Sequence, residues 1–361
     1  MSIAPLAFKL TLPTLFFGYA VAANVALFSG DEMALTQTGI ARGELTAEID
    51  DTYRAHLPHK DPSVGVIGAL RYALLGEGRE GVVVGAESWL FTAEEFRFAT
   101  DAPRSIAETV ADMAVLRDQL RAMGAELVVL PLPTKLEVEA TRAPDGNIAR
   151  QSAAEYDRFA SALRAQGLPF YDSRAAFAAQ APGTAFFRTD THWTPQTAEA
   201  LAVALAETQL VERGTDQFER VDAKPVAFQG DLVTFITSEG LAPFVGLRPE
   251  TVTPWVAEPA AGATGDLDLF GGGDAVDVAL VGTSYSANPN WSFVEALKVA
   301  LGRDVLNLAA EGQGPVVPMI DFVETGVHAL DTVPEVVLWE FPVRYLADPA
   351  LWPAEKETPD A

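Results

Sequence analysis

Cysteine is absent from the 361-residue chain, which excludes disulfide frameworks, cysteine-rich zinc sites and thiol catalysis. Histidine is scarce: four in the whole sequence, so few positions can supply an imidazole base or a metal ligand. Positive charge is short as well. Against 50 Asp and Glu stand 25 Lys and Arg, a formal charge of −25. No long basic run concentrates that charge, and such a surface repels nucleic acid. A glycine-rich phosphate loop, a G-x-S-x-G elbow and an internal repeat are also missing.

What is present is 49% hydrophobic and 21% charged, enough apolar material for one large core or two modest ones. After Lys9 the run "LTLPTLFFGYAVAANVALFS" carries no charge before Asp31, close to the ~20 residues that span a bilayer core. With Ala20, Ala22 and Ala23 nearby, residues 1–30 read as a signal anchor or a cleaved signal peptide. The remainder is then expected outside the cytoplasm, in the periplasm, anchored to the inner membrane or secreted. Residues 31–78 read as a polar, partly helical stalk. His56 and His59 lie there in "HLPHK", but Pro58 breaks the helix an H-x-x-H metal pair would need, so both are expected in solvent.

From residue 79 a rhythm sets in. "EGVVVGAESWLFTAEE" is a short β unit, and "SIAETVADMAVLRDQLRAMG" an amphipathic helix with Gly124 just past its end. "AELVVLPLP" reads as a buried strand, the stretch from Ser152 to Gly167 as a helix, and "LPFYD" as a short strand. The pattern returns near the end: strand "VDVALVG", helix "NWSFVEALKVALG", strand "DVLNLAA", helix "VVPMIDFVETGVHAL", strand "EVVLWEF". Alternating helices and short apolar strands predict an open, mostly parallel α/β sheet with helices on both faces over residues 79–346. Within it, residues 213–274 lose the rhythm and read as an irregular insertion, either a cleft wall or plain cover. Residues 347–361 read as a tail.

Two short stretches carry chemistry. In "TDTHWT", Asp190 and His192 are two apart, and in extended chain such side chains share a face. A carboxylate there accepts one imidazole N–H, leaves the other nitrogen as a base and stabilises the imidazolium. The same pair would give a metal two ligands, with no convincing third in the sequence. Thr194 and Pro195 mark the start of a following helix, and Trp193 either walls the site or packs in the core. In "VGTSYS", a strand ends at Gly282 and Ser284 follows at the turn, where open α/β sheets form their sites. The alternative for Ser284 is an ordinary turn serine. His328, inside the last predicted helix, is read as a surface or satisfied core histidine.

"TDTHWT" followed by "VGTSYS" on this framework resembles the AlgX/AlgJ family of polysaccharide O-acetyltransferases, close to the shorter AlgJ type. "GVVVGAESWLF" at 81–91, "NLAAEGQGP" at 307–315 and "LWEFPVRYL" at 338–346 add to the likeness. The resemblance implies an SGNH-hydrolase-like, flavodoxin-like domain with a permuted motif order, and a catalytic triad of Ser284, His192 and Asp190. It implies an acetyl donor but no other cofactor, a polysaccharide acceptor, and a membrane-bound O-acyltransferase partner. Asn307 and the backbone at Gly312 and Gly314 are candidates for an oxyanion hole. Tyr285, Trp193, Arg344 and Tyr345 are candidates for contact with sugar or donor, Arg344 having an ion pair with Glu340 as its alternative. An acetyl esterase with the same triad and a non-catalytic glycan-binding scaffold are the competing functions.

Overall fold

A computed structural model of the chain describes residues 4–28, 44–57, 60–260, 277–330 and 332–352. The apolar run forms the 25-residue helix α1 (Ala4–Phe28), with Pro13 inside it and Leu15, Phe16, Phe17, Val21 and Val25 exposed. Among the described residues no helix is long and apolar enough to cross a membrane. Helix α2 (Glu44–His56) stops short of Pro58, and α3 (Lys60–Leu75) follows; His59 lies outside the described residues. Within the expected partly helical stalk, α3 packs against the rest of the chain. Gly65, Gly68 and Tyr72, at helical spacing, turn inward, and Thr237 Oγ1 donates to Gly65 O at 2.7 Å. A Cβ on Gly68 would stand 2.0 Å from Ile236 O, so a glycine alone allows this approach.

Strands β1 (Val82–Val84) and β2 (Leu90–Thr92) make an antiparallel pair. Helix α4 (Ile106–Met123) opens on a capping box of Ser105 and Glu108 and ends at left-handed Gly124. Then come β3 (Glu126–Leu132), α5 (Lys135–Val138), α6 (Gly146–Ala165), α7 (Arg174–Ala178) and α8 (Pro195–Ala206). Helix α6 begins at Gly146 rather than Ser152 because the Asp145 side chain caps Asn147 N–H. The irregular segment contains β4 (Phe218–Asp222), β5 (Val226–Phe228), β6 (Glu250–Val252) and β7 (Trp255–Pro259), paired β4 with β7 and β5 with β6. The chain closes with β8 (Val278–Val281), α9 (Ser284–Ala287), α10 (Phe293–Leu301), β9 (Val305–Asn307), α11 (Val316–Asp321) and β10 (Val336–Pro342).

The central sheet is parallel, in the order β3-β10-β8-β9. The expected strand "LPFYD" reduces to one parallel bridge, Val129 with Phe170, beside β3. Alternation along the strands splits the core in two. Val128, Leu130, Leu280 and Leu338 face α8 and α10, whereas Leu127, Val129, Val281, Val337 and Trp339 face α4, α6 and α11. Each fully buried Leu, such as Leu201 in α8 or Leu297 in α10, contributes about 2 kcal/mol.

The predicted helix over 316–330 is shorter than expected. Beyond Asp321 the turns widen to a π turn over Phe322–Gly326 and tighten to a 3₁₀ turn over Val327–Ala329. That irregularity keeps Met319, Phe322 and Val327 all in the core, and His328 on the surface.

Candidate active site

The carboxyl ends of β3, β8, β9 and β10 lie on one edge of the sheet, and the loop before α8 comes over it. That loop, residues 186–193, is a narrow bend closed by the bridge of Phe186 with Trp193 and by Phe187 N–H on His192 O. The extended geometry expected for Asp190 and His192 is replaced by an Asx turn: Asp190 Oδ1 accepts the His192 backbone N–H at 2.9 Å. The turn still brings the side chains together. His192 Nδ1 lies 2.6 Å from Asp190 Oδ1, and a carboxylate only accepts, so Nδ1 carries the proton. Nε2 faces outward, 2.8 Å from Ser284 Oγ. Asp190 is buried, while His192 and Ser284 are half-buried and open to a reactant. Burial alone would raise the Asp190 carboxyl; its hydrogen bonds and the His192 charge outweigh that and hold it below the usual carboxylate range.

Ser284 is placed by the turn that begins α9. The Thr283 side chain caps the Tyr285 N–H, and Glu340, fully buried at the end of β10, takes Thr283 N–H at 3.0 Å, Thr283 Oγ1 at 3.0 Å and Ser286 Oγ at 2.7 Å. Gly282 leaves room for this closeness: a Cβ there would lie 2.6 Å from Glu340 Oε2 and 3.0 Å from the Glu340 backbone oxygen. Glu340 therefore does not pair with Arg344. Strand alternation turns it under the serine turn, while Arg344 lies beyond the strand and pairs with Glu94 at 3.0 Å.

The histidine loop and the serine turn are clamped at Tyr285. Its hydroxyl donates to Thr191 O at 2.5 Å, and its carbonyl accepts the Trp193 indole N–H at 3.1 Å. Residues on either side of His192 thus hold both ends of the residue after Ser284. Arg344 Nη1 reaches the Tyr285 hydroxyl at 3.0 Å and Nη2 the Tyr345 hydroxyl at 3.1 Å. Trp193, Tyr285 and Arg344 are all buried and leave no surface for a sugar. Tyr345 is half-buried. The His192 ring instead stacks on Trp291, centroids 5.2 Å apart, a neighbour the sequence did not single out.

Asn307, at the end of β9, donates one Nδ2 hydrogen to Ser286 O at 3.1 Å and accepts Ala309 N–H on Oδ1. Gly312 and Gly314 follow in left-handed backbone. Among the described residues no hydrogen bond joins their turn to the Ser284 side chain.

Three further residues pin the loop. Lys135, buried as the first residue of α5, donates to Leu90 O at 2.6 Å, Arg188 O at 3.0 Å and Asp190 O at 2.8 Å. Burial pushes its amine down to about 8 despite the surrounding carboxylates. Glu250 takes the N–H groups of Arg188 and Thr189, and Asp231 the N–H and the hydroxyl of Thr191. None of the three carried a signal in the sequence, where each is one charge among many. Asp190, His192 and Asp231 have ligand atoms within 4.8 Å of one another. Nδ1 is occupied by Asp190 and Nε2 faces Ser284, so no ring lone pair points into that group to bind a metal.

Residues 82–343 match the model of the ALGX family, described as an SGNH hydrolase-like domain of acetyltransferase AlgX. The chain belongs to this family. It is an acyltransferase of the SGNH-hydrolase-like type. Among its relatives is the probable alginate O-acetylase AlgJ of Pseudomonas syringae pv. tomato, 37% identical over 86% of this chain and 80% of that one. The probable alginate O-acetylase AlgJ of Pseudomonas aeruginosa is 34% identical over 87% of this chain and 82% of that one. The solved O-acetyltransferase domain of Pseudomonas putida AlgJ superposes with a TM-score of 0.63 at 32% identity, covering 78% of this chain and 96% of that domain.

Proposed function

We propose that this acyltransferase moves acetyl groups onto hydroxyls of an exported polysaccharide through an acetyl-Ser284 intermediate. The observation that carries the reading is the array Asp190 Oδ1, His192 Nδ1, His192 Nε2, Ser284 Oγ, with contacts of 2.6 and 2.8 Å. Nε2 takes the Ser284 proton as Oγ bonds to the acetyl carbonyl carbon, general-base help of about 10²–10⁴-fold. The bond from carbonyl to donor then breaks, and the donor's leaving oxygen collects that proton. A sugar hydroxyl next attacks the acetyl-serine, giving its proton to Nε2, and Ser284 Oγ leaves and is reprotonated. As the first residue of α9, Ser284 has an N–H without an intrahelical acceptor, suited to the developing oxyanion. The second Nδ2 hydrogen of Asn307 and the backbone at Gly312 to Gly314 are the further donors in this reading.

The relatives are named for alginate, and an alginate-like acceptor is the first polymer to test here. Export to the periplasm belongs to the same reading, as do attachment at the inner membrane and an integral-membrane O-acyltransferase partner that supplies acetyl groups. Its support is the exposed apolar row of α1 from Leu15 to Val25.

The test is acetyl transfer from an acetyl-ester donor to a glycan, read by mass spectrometry of the glycan. Ser284→Ala is expected to abolish product while the melting temperature holds. Full activity in that variant would refute the intermediate, and free acetate with unmodified glycan would identify an esterase.

A further inference from the structure

The irregular segment reaches the serine–histidine–aspartate array through Asp231. This residue begins a 3₁₀ turn, Asp231–Phe235, three residues after β5. Its backbone N–H donates to Asp190 Oδ2 at 2.9 Å. Its carboxylate takes Thr191 N–H at 2.9 Å and Thr191 Oγ1 at 2.5 Å, and Oδ2 stands 4.0 Å from His192 Nδ1. The approach is tight: a Cβ on the preceding Gly230 would lie 2.3 Å from Thr189 O.

These contacts divide the Asp190 carboxylate. Oδ1 is left to His192, and Oδ2 is held from the insertion. The hold on Oδ2 comes from the backbone N–H at position 231, whereas the Thr191 amide and hydroxyl depend on the Asp231 carboxylate for their acceptor. We propose that Asp231 is a positioning residue for acetyl transfer, aligning Asp190 and Thr191 and adding a second negative charge beside the imidazole. Burial first, and then the Asp190 charge, push the Asp231 carboxyl upward; His192 and the two Thr191 donors favour its ionised form, and that charge favours the imidazolium that forms in each transition state. This rests on the Ser284 reading above. Other charged or titratable groups around the ring are Asp190, Glu340 beneath the serine turn, Lys135 behind the Asp190 carbonyl, and the neutral hydroxyl of Tyr285.

The experiment is the rate of Ser284 sulfonylation by phenylmethylsulfonyl fluoride across pH, in the full chain, for wild type, Asp231→Asn, Asp231→Glu and Asp231→Ala. Asn keeps the backbone N–H and an acceptor for Thr191 but removes the charge. Asp231→Asn is expected to react about tenfold more slowly at neutral pH, with the acidic limb of its pH–rate profile displaced downward by about half a unit or more. Its melting temperature is expected to stay near that of wild type, and Asp231→Glu to restore part of the displacement. Asp231→Ala should be slower still; if it does not fold, the Asn and Glu variants decide. An Asn variant within twofold of wild type, or one whose slowing follows a fall in melting temperature with an unmoved limb, overturns the proposal. An unlabelled wild type overturns the Ser284 reading itself.

Discussion

Glu340 is fully buried and Glu137 half-buried; both carboxyls are pushed above the usual range, and loss of solvent is the first cause in each. Their surroundings differ. Glu340 has three donors on its oxygens, so replacing it would leave the serine turn unpaired at about 1–3 kcal/mol per group. Glu137 has Oε2 buried without a partner and Arg174 no nearer than 4.0 Å, and its carboxyl stands at about 7. An acid raised in the folded state takes up protons on folding. Stability from this group is whole below its unfolded value near 4.5 and is lost as pH rises through about 7. Glu137→Gln is therefore expected to stabilise the fold by up to about 3 kcal/mol at pH 8 and by little at pH 4. Urea unfolding of both proteins at the two pH values checks this, and equal gains at both would refute it.

At the scale of elements, the loop before α8 and the turn opening α9 are 92 residues apart in the chain and meet through Tyr285. Trp193→Phe keeps a ring in the cluster with Phe177 and Phe293 but removes the indole N–H from Tyr285 O. One buried hydrogen bond predicts a loss of about 1–2 kcal/mol in stability. If the clamp sets the distance from His192 to Ser284, sulfonylation should slow about tenfold as well, since a small misplacement of reacting groups is expensive in rate. Thermal melts and labelling rates on the same preparation separate the two effects, and an unaltered labelling rate would reduce Trp193 to a packing residue.

For the whole molecule the dominant quantity is a charge of −25. A polyuronate acceptor would approach against that field, whereas a neutral glycan would not feel it. The KM for an anionic acceptor is then expected to fall several-fold as salt rises from about 10 mM to about 150 mM, where charges beyond roughly 8 Å are screened. A neutral acceptor should show no such change. Transfer assays on the two acceptors across ionic strength measure this directly, and a KM that rises with salt would point to a locally positive groove instead.

The alternating apolar strands and helices, the helix stop at Gly124, and the candidates Asp190, His192 and Ser284 were all legible along the chain. Each depends on local spacing or on residue types few enough to stand out. The turn geometry at Asp190, the pairing of Arg344 with Glu94, the packing of α3, and the parts played by Lys135, Glu250 and Asp231 were not. Those depend on which of many carboxylates and amines face one another after folding, and no period or spacing records that. Local chemistry in the sequence determined which residues could react; the tertiary structure alone decided that the histidine loop and the serine turn meet 2.8 Å apart. Hydrogen bonds across that gap act only over contact distance, and contact between residues so far apart in sequence exists only once the sheet has brought its strand ends to one edge.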